Sequence, residues 1–321
     1  TLRNYLAPES RATVTLNIAE NPGLRIDVNK YLGKNQRIMS NFFFNWNQNK
    51  NSFFDNGIDI GTYRTSQINT GIGGKYSISI NQQIGVLGFY EYNRMTPNDN
   101  VRQFFQVPSF ESYSYQGFAY KLYYNINTTD DNFFPKRGFK LDAYYKYNFK
   151  PEVKYDINNS DELILNNNGF LNTAQDDFYS FYFNLDNYYS LFNALTFEFG
   201  ASLGIASNES LIMSNYVLGG YHWDQRSTYV PFAGANFGEY LVSNYGLLKA
   251  GIDVEIFPNI YLTARANIGF YTDSKDDFID FVETSPLNSY MKGYCAGIRA
   301  NTIIGPVNIM YGDNDYDSDI R

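Results

Sequence analysis

One cysteine and one histidine in 321 residues remove whole classes of chemistry. Cys295 has no second cysteine for an internal disulfide, and a lone His222 cannot build a multi-histidine metal centre. Tryptophan occurs only twice. Nothing approaches the roughly 18 consecutive apolar residues of a spanning helix. Positive charge is in deficit: the formal net charge of −8 argues against a nucleic-acid partner, which requires a basic groove. An amphipathic helical period is almost absent, and no secretory signal segment opens the chain, so Thr1 is not expected to be the natural start.

What the chain does have is Tyr and Phe, 30 and 27 of them, in a sequence whose mean hydropathy is nevertheless polar, −0.40. Alternation reconciles the two. In "TDDNFFPKRGFKLDAYYKYNF" (129–149) a polar turn precedes a run with Phe139, Leu141, Ala143, Tyr145, Tyr147 and Phe149 on one side. Lys140, Asp142, Tyr144, Lys146 and Asn148 lie on the other. Period two means a strand with one apolar and one wet face, and this run is about twice the usual length in soluble proteins. The same pattern predicts strands near 11–19, 22–31, 36–47, 52–64, 67–80, 82–95, 112–128, 137–150, 176–190, 193–206, 245–257, 260–271, 290–300 and 302–312, about fourteen in all. From residue 80 onward short turns alternate with long segments at 96–111, 151–175, 207–244 and 273–289. A β-sandwich would give shorter strands and connections of mixed length. Strict alternation instead implies an up-and-down membrane barrel with Tyr and Phe toward lipid and Lys140, Asp142 and Arg265 toward a wet lumen.

Two segments carry a resemblance. "DDNFFPKRG" resembles the Asp-x(n)-Phe-Pro-x-x-Gly turn of the BamA/TamA superfamily of outer-membrane proteins, with Pro135, Arg137 and Gly138 at its motif positions. In that family the turn is periplasmic and precedes the ninth of sixteen strands. Counting on, 207–244 falls at the sixth outer loop, which in the family folds into the lumen and carries Gly-Gly followed by Val-Arg-Gly. Here "YVLGGYHWDQRSTYVPFAGANF" keeps Gly219 and Gly220 but has no Val-Arg-Gly. Its "LGG…YVPFAG" pattern, with Pro231, Phe232 and Gly234, is similar to the barrel of patatin-like phospholipases that end in a BamA-type domain. The resemblance implies that a loop arginine meets acidic groups of the lumen wall. Arg226, Glu255 and Asn267 stand at those positions, the last where the family often has Asp; the alternative leaves Arg226 on an exposed loop.

Tempting catalytic motifs reduce to strand chemistry. "GASLG" (200–204) matches G-x-S-x-G, which needs a sharp strand-to-helix turn. Here it lies inside an alternating run that places Ser202 on the wet face. "DNDYDSD" (313–319) has the spaced carboxylates of a calcium loop without its glycine or final glutamate, so it reads as an acidic turn. No catalytic, cofactor or metal residue is assigned.

The reading is therefore an all-β protein: one domain over 1–321, a sixteen-stranded antiparallel transmembrane β-barrel with one or both end strands incomplete and 207–244 folded inward. The resemblance implies a Gram-negative outer membrane, with lipid and lipopolysaccharide around the barrel and no nucleic acid. It also implies an upstream amino-terminal patatin-like phospholipase domain that the barrel anchors or exports, and contacts with other outer-membrane subunits. The chain itself would not be an enzyme. The rivals are a BamA/TamA-like assembly or translocation factor and a passive solute pore.

Overall fold

The computed structural model describes residues 2–3, 9–18, 21–55, 57–158, 177–192, 194–207, 216–220, 229–272, 290–303 and 305–315. Arg226, His222 and most of the acidic run at 313–319 lie outside these residues. The strands are β1 (Leu2–Arg3), β2 (Ser10–Asn17), β3 (Gly23–Leu32), β4 (Ile38–Asp55), β5 (Ile58–Ser79) and β6 (Gln82–Pro97). After the short helix α1 (Asp99–Phe104) come β7 (Ser112–Asn127), β8 (Gly138–Asp156), β9 (Phe178–Leu191) and β10 (Leu195–Ala206). Three short strands follow: β11 (Tyr216–Leu218), β12 (Tyr229–Val230) and β13 (Tyr240–Val242). Then come β14 (Asn244–Phe257), β15 (Ile260–Thr272), β16 (Met291–Thr302) and β17 (Gly305–Asp315).

Fourteen strands form one sheet in the order β1 to β10, then β14 to β17, so each strand lies beside its neighbours in the sequence of long strands. The pairings resolved residue by residue in this sheet are antiparallel. The remaining three make a small separate sheet, β12-β11-β13. The chain divides into two compact units, residues 1–124 with 144–180, and residues 125–143 with 181–321.

In each unit the usual polarity is inverted. The outward side chains are apolar: Ile72 is 68% exposed in the first unit, and Leu248 and Ile309 are 60% and 71% exposed in the second. The covered ones include charged groups, with Glu91 at 4% and Arg299 at 6%. A soluble protein buries the first class and exposes the second; a strand between lipid and a wet interior does the reverse.

The antiparallel sheet expected of the barrel is present, with fourteen strands among the described residues. One expectation is corrected. Residues 36–79, read as three strands, form two, because "QNKNS" and "TSQ" are not turns. There Gln48 pairs with Ser66, Lys50 with Arg64 and Ser52 with Thr62. Alternation fades where both faces are wet, while backbone pairing continues, so periodicity underestimates a strand that outruns the bilayer. The hairpin instead closes with Asp55 paired to Ile58, and α1 packs on it through Phe104 and the following Phe105 against Phe53. Asn98 caps that helix, accepting from Val101 N at 3.0 Å.

Tyrosine is also not confined to the lipid side. Tyr115, Tyr216 and Tyr245 are fully covered, because a phenol offers apolar bulk and a hydroxyl that interior acceptors can hold. The Tyr115 hydroxyl donates to Glu91 Oε1 at 2.6 Å and lies 3.1 Å from Asn148 Oδ1, and Lys146 Nζ reaches both Glu91 oxygens at 2.8 Å.

Candidate functional site

The inner wall of β9, β10 and β14–β16 carries a charge network whose partners follow from strand register. Glu198, Gly251, Arg265 and Cys295 form one cross-strand row. A Cβ on Gly251 would lie 2.4 Å from Arg265 Cδ. The absent side chain lets the guanidinium lie across β14 and reach Glu198 two strands away, Nε to Oε2, at 2.9 Å. Its Nη2 also holds Asp253 Oδ2 at 2.8 Å, and Arg299 Nη1 reaches the same oxygen at 3.1 Å. Lys249 pairs with Asp186 and donates to Asn184 Oδ1 at 2.8 Å. Buried charge is costly unless paired and hydrogen-bonded, and here Arg265 spends its remaining donors on Ile252 O, Ala264 O and Thr263 Oγ1.

Beyond the row of Asp253, Thr263 and Gly297 lies the row of Glu255, Tyr261 and Arg299. Against it lies the 128–137 turn, which leaves β7 and returns into β8. Lys136 Nζ donates to Glu255 Oε2 at 2.5 Å. Phe134 stacks on Tyr261 with centroids 5.1 Å apart and an interplanar angle of 20°. Arg299 lies over the Phe134 ring at 4.8 Å and donates through Nη2 to Phe133 O at 2.8 Å. The turn is rigid by its own chemistry: Asp131 Oδ1 accepts from Phe133 N and Phe134 N, and Asp130 Oδ1 accepts from Lys136 N and Arg137 N. Pro135 is buried, Arg137 is exposed, and Gly138 turns into β8 with φ +99°. Hydrogen bonding to Glu255 raises the Lys136 ammonium above the ordinary lysine pKa.

The described part of the 207–244 segment packs on the same inner face. Leu218, Val230, Phe232, Tyr240 and Val242 join Tyr216, Tyr245, Leu247 and Met291 in one buried cluster. Gly219 N donates to Val230 O, Gly220 N donates to Ala235 O, and Phe232 N donates to Gly220 O. Pro231 is exposed beside the fully buried Phe232. Gly234 needs its glycine: φ is +87°, and a Cβ would lie 2.0 Å from Asp313 O on β17. Asn267, with its amide turned to satisfy both partners, donates to Ala266 O at 2.8 Å and accepts from Ala233 N at 3.0 Å. Glu239 bridges Asn236 N at 2.6 Å and Asn314 Nδ2 at 3.3 Å.

Of the three residues proposed at the lumen wall, the two that are described take different partners. Asn267 holds the inward segment, but through a backbone N–H, which a neutral amide can accept where an acid would seek a cation. Glu255 takes Lys136 from the turn, and Arg226 is outside the described residues. Sequence reasoning missed Phe134, Lys136, Asp253 and Arg299. Only the first two carried a signal, Phe134 as the Phe of the turn motif and Lys136 as the variable residue after Pro135. Ser202 sits mid-strand, its Oγ donating to Phe183 O at 3.3 Å and lying 2.8 Å from the Tyr245 hydroxyl, with no histidine among the described residues. No cluster of three or more metal-ligating side chains occurs among the described residues.

Residues 106–314, more than half of the chain, match the OMP85 superfamily. No curated protein matches the chain in sequence. Among solved structures, BamA from Haemophilus ducreyi lacking POTRA domains 1–3 aligns with TM-score 0.69 and 10% identity, over 99% of this chain and 63% of that one. CdiB from Acinetobacter baumannii aligns with TM-score 0.56 and 13% identity, over 99% and 52% of the two chains. CdiB from Escherichia coli gives 0.54 and 10%, over 93% and 50%. At these identities the likeness is one of fold, an outer-membrane transmembrane β-barrel, and this chain spans between half and 63% of the length of these structures.

Proposed function

The chain belongs to the OMP85 superfamily, and we propose that it is the barrel of a Gram-negative outer-membrane factor that assembles or translocates polypeptides. The observation that carries this reading is the 216–220 and 229–243 segment seated on the inner face of β14–β17. A passive solute pore is built around an open aqueous channel. Here that wall is covered by an ordered insert and its charges are paired internally. Among the described residues, Glu198, Asp253, Asp186 and Glu255 are matched by Arg265, Arg299, Lys249 and Lys136. These pairs leave the groups in them no uncompensated charge with which to select a small ion.

The anchoring of an upstream phospholipase, implied by the "LGG…YVPFAG" likeness, has no support in the family and structural matches. The assembly or translocation reading draws on the superfamily and on the BamA and CdiB folds.

The deciding measurement is depletion of the full-length protein in its host, with quantitative profiling of outer-membrane and secreted proteins. An assembly factor lowers many barrels together, and a translocator lowers one or a few exported chains. Unchanged protein profiles with altered solute uptake would overturn the proposal, as would loss of cell-surface lipid hydrolysis alone.

A further inference from the structure

We propose that the 128–137 turn is a latch, closing the short-turn end of the lumen and releasing from the wall as one piece. The short-turn end is the periplasmic end of an outer-membrane barrel.

Three adjacent residues of one cross-strand row, Glu255, Tyr261 and Arg299, each take one group from the turn. These groups are the Lys136 ammonium, the Phe134 ring and the Phe133 carbonyl. A turn that only joined two strands would need none of them. In the sheet order this turn reaches past β9 and β10 to the row on β14–β16, so it is seated on the inner face of that wall.

The contacts are also of a kind that can break together. Lys136 and Glu255 keep side-chain exposures of 31% and 23%, so both remain close to water when apart and neither is stranded as a buried charge. Arg299 keeps Asp253 and Asn308 as partners without the turn. Asp130 and Asp131 hold the turn's own backbone, so its shape survives release. This holds whichever polypeptide the barrel handles.

The test uses the full chain, with Cys295→Ala as background, reconstituted in planar lipid bilayers. Phe134→Ala combined with Lys136→Met should raise the open probability about tenfold or more, the shift expected when a minor open state loses its restraint. Lys136→Arg, which keeps the ion pair, should stay near the parent. Separately, Lys136→Cys with Glu255→Cys and a short bis-methanethiosulfonate cross-linker should abolish the openings, and reductant should restore them. Heat-modifiable mobility reports whether each variant is folded. Failure of the folded cysteine pair to cross-link would overturn the seating of the turn. Unchanged openings in the folded double variant, or openings that persist in the cross-linked protein, would overturn the latch.

Discussion

Asp253 has the most to lose from a single substitution. It is a buried carboxylate whose Oδ2 serves two guanidinium groups. Asp253→Ala would leave Arg265 and Arg299 facing each other with less compensation, a loss of about 3–5 kcal/mol for breaking a buried pair. Urea unfolding followed by heat-modifiable mobility should show it. Arg25 and Asp27 form a pair at 2.6 Å on the surface, the arginine 63% exposed, and Arg25→Ala should cost no more than about 1 kcal/mol. Equal effects would mean that the wall network is solvent-screened. At Ser202 the hydroxyl is engaged with Tyr245 and Phe183 and has no histidine beside it among the described residues. The purified chain should therefore turn over no ester, and turnover that Ser202→Ala abolishes would refute this.

Element by element, strand register decides which residues meet. Gly251 opposes Arg265 on β15 and Glu198 on β10, so Gly251→Val should push Arg265 off Glu198 and cost about 1–3 kcal/mol through overcrowding. Gly88 has open space around its Cβ position, and Gly88→Ala should be much milder by the same unfolding assay. The connection into β9 has its own acid dependence. Asp177 accepts from the Tyr147 hydroxyl at 2.7 Å and from Lys150 N at 2.8 Å. Those bonds, the hydroxyl's first, hold its carboxyl below the ordinary aspartate pKa. Because the folded value is depressed, the stabilisation is present above the ordinary aspartate value. It fades as pH falls toward the folded value. The stability gap between the parent and Asp177→Asn should accordingly close on acidification, and a gap constant with pH would contradict the assignment.

For the whole molecule, the alternation of short and long connections makes a directional claim. With Cys295→Ala as background, Asn158→Cys should react with a membrane-impermeant maleimide on intact cells, and Phe133→Cys should not. Equal labelling would sink the topology. The barrel reading was accessible from residues such as Leu248, Leu262 and Ile309, whose apolar side chains recur at every second position yet point outward. Extent was harder to read, because β4 and β5 continue where neither face is apolar.

Period-two patterning by itself determined which face of each strand is wet, and the turn chemistry of "DDNFFPKRG" marked where one hairpin reverses. Both are local properties, set by alternating side-chain direction and by short polar side chains that cap their own backbone. Neither could say that Glu255 meets Lys136, 119 residues away, or that Arg265 reaches Glu198 over Gly251. A one-residue slip in register exchanges the two faces and is forbidden by lipid. A two-residue slip preserves both faces and changes every partner, so hydrophobic patterning alone does not choose among such alignments. Only the assembled sheet, with the turn laid across its inner face, decided which charges are neutralised and by what.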